Sequence, residues 1–192
     1  MPLTQRIHDQ LQACIQVLSD AGGSLAEPLG AAARGMTDCL LAEGKILTCG
    51  VGPSGLAARH LAAILVDRLD KERPGLAAIA LHGDGAGMVD DAEFSPGFAR
   101  QIAALGHPGD LLVVFSAYGQ ARAVVEAIHA AHERDLRVVV LAGGDGGQAA
   151  EVLTENDVLI CLPAESAARI HEVTLFAVHA LCDGIDYFLL GA

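Results

Sequence analysis

Gly50, Gly52 and Ser54 are the residues best suited to hold an anion, because they lie where an apolar run, a glycine-rich turn and a helix follow without a gap in KILTCGVGPSG, 45 to 55. The run at 45 to 49 is short and apolar enough for a buried strand, and the glycines let the backbone turn tightly and approach a ligand. Pro53 suits a first helical turn, and a helix starting there aims free N–H groups at bound phosphate. The stretch has neither the lysine of a P-loop nor the glycine spacing of a dinucleotide fingerprint, so it does not specify a nucleotide. A plain strand-to-helix turn without a ligand is the competing reading. A second turn of the same layout, Ser116-Ala117-Tyr118-Gly119-Gln120, follows the apolar run at 111 to 115. A third, His82-Gly83-Asp84-Gly85-Ala86-Gly87, places an imidazole and a carboxylate at the carboxyl end of a strand, the edge where doubly wound sheets put their ligands.

The elements that must position these turns alternate. Residues 3 to 20 carry Leu3, Ile7, Leu11, Cys14, Ile15 and Leu18 on one helical stripe; Gly22-Gly23-Ser24 then ends that helix, with Ser24 and Glu27 in capping-box spacing for a second helix from 25 to 42. Strands are predicted at 45 to 49, 76 to 81, 111 to 115, 137 to 141 and 157 to 162. Helices are predicted at 54 to 69, 94 to 105, 121 to 134 and 166 to 190. This alternation implies right-handed crossovers and a parallel five-stranded sheet with helices on both faces, an α/β fold.

At 192 residues and 52% hydrophobic content the chain suits one domain with a sizeable core. Its surplus of apolar faces points to subunit contacts. A net charge of −12 repels a phosphate backbone, and 4% aromatic content with no tryptophan offers no stacking platform, so direct nucleic-acid binding is excluded. Five cysteines form no CxxC pair and read as reduced, structural residues. Neither a signal-peptide hydrophobic region nor an apolar run of 18 residues occurs, which predicts a cytoplasmic protein without membrane contact.

Taken together, CGVGPS at 49 to 54, ERPGLAAIAL at 72 to 81, ALGHPGDLLVVFSAYG at 104 to 119, LAGGDGG at 141 to 147 and ARIHEVTLFAVHALCD at 168 to 183 resemble the sugar isomerase (SIS) domain family over nearly the whole chain. The resemblance is to the single-domain branch that holds phosphoheptose isomerase and the DnaA initiator-associating protein, and both the C-terminal block and the ERPGLAAIAL block look more like the second. It implies a flavodoxin-like sheet and a homotetramer. One SIS domain over 1 to 192 follows, with 1 to 43 serving oligomerisation and 44 to 192 forming the α/β core and last helix.

The resemblance also implies that the first and second turns grip the phosphate of a sugar phosphate, here through Gly50, Gly52, Ser54, Ser116, Tyr118, Gly119 and Gln120. Only the first of three serines usual in the second turn is present, Tyr118 is placed to fill part of the pocket, and Pro53 has no N–H to donate. Catalysis in the isomerase branch is implied to need a histidine, matched by His179, and a glutamate, whose position here is Ile64. An isoleucine cannot take a proton. The implied metal site would fall to His60, His171 and His179, a set able to hold zinc, although His171 and His179 stand about 12 Å apart along one helix.

Two functions follow from the resemblance. The first is a catalytically degenerate protein that binds a sugar phosphate or a protein partner, the replication initiator, on the model of the DnaA-associating regulator. Its partner surface would include the apolar end Tyr187-Phe188-Leu189-Leu190, with Leu189 and Leu190 as anchors. The alternative is a phosphoheptose isomerase acting on sedoheptulose 7-phosphate for heptose and lipopolysaccharide precursors, with Glu172 or Asp84 as the replacement carboxylate.

Overall fold

The computed structural model describes residues 1–82 and 97–191. Strands and helices alternate in the order α1 (Leu3–Leu41), β1 (Ile46–Gly50), α2 (Ser54–Val66), β2 (Ala78–Ala80), α3 (Phe98–Leu105), β3 (Leu111–Ser116), α4 (Arg122–Glu133), β4 (Arg137–Gly143), α5 (Gly147–Glu151), β5 (Val158–Leu162) and α6 (Ala167–Leu190). The strands form one parallel sheet in the order β2-β1-β3-β4-β5. After β2 the chain crosses back to lay β3 on the other side of β1, so the direction of winding reverses between β1 and β3. A crevice opens at such a point, and the first and second glycine turns leave these two strands side by side.

Successive residues of a strand point to opposite faces, and both faces here are apolar because both are covered. Ile46, Leu111, Val113, Phe115, Val139 and Leu141 meet α1, α2 and α6 on one side. Leu47, Cys49, Leu112, Val114, Val138 and Val140 meet α3, α4 and α5 on the other. The buried Cys39, Cys49 and Cys182 behave as small hydrophobes, burial pushing their thiols up to about 11, 12 and 12.

One continuous helix of 39 residues stands where the sequence predicts two. Gly22-Gly23 does not break it, and Ser24 donates its hydroxyl back to the Ala21 carbonyl instead of capping a new helix. Each helical glycine costs about 1 kcal/mol against alanine, but Ala21, Leu25, Leu29, Ala33 and Met36 are buried at helical spacing across this stretch, and burying a single leucine is worth about 2 kcal/mol. Packing therefore outweighs local propensity. Residues 21 to 39 of α1 belong to the main core, whereas Leu3, Ile7, Leu11 and Ile15 in its first half are exposed.

Other differences are smaller. β2 has three residues, not the six predicted at 76 to 81, and the short α5 inside the glycine turn after β4 has no helical pattern in its sequence. The helix predicted from 94 begins at Phe98, and the predicted turn at 83 to 87, with Asp84, lies outside the described residues. α6 is long and apolar enough to span a bilayer, yet Ile170, Val173, Ala177, Leu181 and Ile185 are buried on one face, so it is packed as a core helix.

Candidate functional site

The first turn carries Val51, Gly52 and Pro53 between β1 and α2, with Gly52 at its tip. Gly50 lets the strand end pass against the first turn of α2, since a Cβ there would come within 2.6 Å of the Ser54 carbonyl oxygen. Ser54 is the first residue of α2 and is buried beside that contact. Leaving the neighbouring strand, the second turn is closed by its own serine: Ser116 Oγ accepts a hydrogen bond from the Gly119 N–H at 3.0 Å. Gly119 has φ +65°, and an added Cβ would collide with the Gly146 carbonyl oxygen, so only glycine fits. Gln120 lies against Gly147 in the turn after β4. Tyr118 does not fill the pocket; its hydroxyl reaches the Glu165 carbonyl at 3.4 Å, spanning from this turn to the β5–α6 loop, and its ring is half exposed.

The chemistry-bearing contact lies between α2 and α6. His60 and His179, 119 residues apart in sequence, meet with their Nε2 atoms at 3.0 Å and their rings edge to face, 5.2 Å between centroids. One Nε2 must carry the hydrogen and the other accept it. Burial, and then the neighbouring His179, hold His60 below the ordinary imidazole value of 6.5, so it is neutral at pH 7. The pair lines a cleft of about 590 Å³ with Pro53, Leu56, Ala57, His171 and Leu175. Such a cleft is mostly apolar with two or three polar groups aimed inward, the usual make-up of a small-molecule site.

His171 thus shares the cleft with His60 and His179, but among the described residues no three His, Cys, Asp or Glu side chains gather as metal ligands. Among the described residues the three histidines therefore do not converge as a zinc-ligand set. Ile64 is buried in the core, at the position that the resemblance gives to a glutamate. Glu172 cannot replace it, because the carboxylate turns toward α1: Oε1 pairs with Arg169 Nη2 at 2.7 Å, and the thiol of Cys14 is raised chiefly by its hydrogen bond to Glu172. The imidazoles are therefore the ionisable groups of this cleft among the described residues. Their pairing had no signal in the sequence, where only a family pattern singled out either one.

At the chain's last helical turn, Leu189 is partly buried against the core while Leu190 is exposed. Tyr187 is exposed as well.

Residues 10–143 match the SIS domain family. The chain is 46% identical to a phosphoheptose isomerase of Aromatoleum aromaticum, covering 100% of this chain and 98% of that one. It is also similar to two solved structures, phosphoheptose isomerase GmhA from Neisseria gonorrhoeae and a phosphoheptose isomerase from Francisella tularensis. The first has a TM-score of 0.88 at 39% identity, covering 96% of this chain and 99% of that one. The second has a TM-score of 0.90 at 35% identity, covering 97% and 99%. These matches overturn the expectation of a catalytically degenerate regulator of replication initiation, since the full-length relatives are isomerases. The leaning toward the regulator rested on the missing glutamate and on two short blocks, at 72 to 81 and in the last helix, too little sequence to outweigh identity along the whole chain.

Proposed function

Because the chain belongs to the SIS domain family, we propose that it is a phosphoheptose isomerase, interconverting sedoheptulose 7-phosphate and the corresponding manno-heptose 7-phosphate. The observation that carries this reading is the His60–His179 contact in a cleft that starts at Pro53, in the first glycine turn. The phosphate is held between the turn at Gly50, Gly52 and Ser54 and the turn at Ser116, Tyr118, Gly119 and Gln120. Helix α2 adds the field of its N-terminus. Ser116 Oγ already accepts from the Gly119 N–H, which leaves its own hydrogen free to donate to a phosphate oxygen.

Ketose-to-aldose conversion removes a proton from C1, passes through an enediol and returns a proton to C2, while the hydroxyl hydrogen moves between the two oxygens. No atom is gained or lost. His179 is the base that takes and returns the carbon-bound proton, and neutral His60 at 3.0 Å fixes the orientation and hydrogen position of that imidazole. Burial keeps His60 neutral, so it sets no second positive charge beside His179 when that imidazole takes the proton.

The molecule that works is taken to be a cytoplasmic homotetramer. Exposed Leu3, Ile7, Leu11 and Ile15 form an unpartnered stripe along the first half of α1, and Phe176 and Tyr187 line an open apolar groove between α1 and α6. Light scattering at micromolar concentration should return four times the chain mass. Purified protein given sedoheptulose 7-phosphate should form the aldose with a turnover on the order of 1 per second or faster. Failure to turn over this substrate overturns the reading.

A further inference from the structure

We propose that Arg73 and Asp186 form a clasp that sets the spacing of His60 and His179, making both of them positioning residues for the proton transfer. The catalytic part of this inference rests on the isomerase reading; the geometric part does not. Arg73 stands in the link between α2 and β2, and its side chain is 1% exposed, with that of Asp186 at 3%. Arg73 Nε donates to Asp186 Oδ1 at 2.6 Å, Nη2 to the Ile64 carbonyl at 3.0 Å and Nη1 to the Leu65 carbonyl at 2.9 Å. One planar guanidinium therefore joins the last turn of α2 to α6, satisfying carbonyls that have no partner within their own helix.

Both histidines stand at fixed heights above this joint. His60 precedes Ile64 by one helical turn, about 6 Å, and His179 precedes Asp186 by two, about 10 Å. Residues so spaced share a helix face, and the clasp and the histidine pair are the polar links between α2 and α6 among the described residues. With one link fixed and both helices stiff, the other link's distance is fixed too. A buried ion pair adds little net stability over an apolar pair of equal volume, so definite placement of α2 against α6 is what this one supplies.

The test uses Asp186→Asn, Arg73→Lys and the double variant Arg73→Met/Asp186→Leu, which leaves no unpaired buried charge. In wild type, the ring protons of His60 and His179 should show a mutual nuclear Overhauser cross-peak. In the variants, checked as folded by circular dichroism, that cross-peak should weaken or vanish. kcat should fall by up to about a hundredfold, the effect of misplacing a reacting group by roughly 1 Å, while KM stays within a factor of about three. Arg73→Lys should retain part of both signals. A folded double variant with the wild-type cross-peak and kcat overturns the proposal, leaving the pair a stabilising element only. Should the wild type show no turnover, the isomerase reading fails while the cross-peak still decides the clasp.

Discussion

The two ends of the parallel sheet both carry ionisable groups, and they use them in opposite ways. At the end where strands begin, Asp110 precedes β3 and Asp157 precedes β5. Asp110 accepts from the backbone N–H groups of Lys45 and His107 and from Lys45 Nζ. Asp157 accepts from the N–H groups of Val138 and Thr154, from the Thr154 hydroxyl and from His132 Nε2. Their side chains are 4% and 1% exposed, and their lone pairs are taken up by the fold. At the end where strands finish, His60 and His179 bond each other beside an open cleft that starts at Pro53 in the first glycine turn. A group whose hydrogen bonds are all satisfied internally holds strands in register, whereas one with capacity left over can act on a ligand.

Removing the histidine base breaks the comparison most sharply. His179→Ala should lower kcat by about 10² to 10⁴, the usual share of general base catalysis, with little change in thermal midpoint. Equal losses of stability and activity would mean that this end is structural as well. At the opposite end, Asp157→Ala removes the acceptor of four hydrogen bonds and should cost about 3 kcal/mol in urea unfolding with kcat unchanged. A fall in kcat in the folded variant would blur the division.

The smallest effect sharpens the same contrast through pH. Burial alone would raise the carboxyl of Asp110, but the hydrogen bonds from Lys45 and His107 outweigh it and hold the pKa below 3.8. The proton therefore prefers the unfolded chain, so the stability is fully present above pH 3.8 and is lost as pH falls through the folded value. His60, also lowered in the fold, has the same sign in a higher window, its contribution fading as pH drops below 6.5. Asp110→Asn should flatten the decline of urea midpoints between about pH 5 and pH 3, by roughly 1 kcal/mol or less, and leave the His60 window unchanged.

The alternation of apolar runs and helical stripes was enough to determine a parallel α/β sheet, because runs such as 111 to 115 are too short and uniformly apolar for anything but strands covered on both faces. The glycine turns after β1 and β3 were legible for the same local reason: close backbone approach and positive φ leave a residue-type signature. Tertiary packing decided what local pattern could not. Gly22-Gly23 reads as a helix end, yet α6 supplies enough buried apolar surface to carry α1 straight through it. Tyr118 reads as pocket filler until the β5–α6 loop offers it the Glu165 carbonyl. His60 and His179 lie 119 residues apart, and Arg73 and Asp186 lie 113 apart. Periodicity places each on its own helix, but only the crossing of α2 and α6 on one face of the sheet brings an imidazole to an imidazole and a guanidinium to a carboxylate.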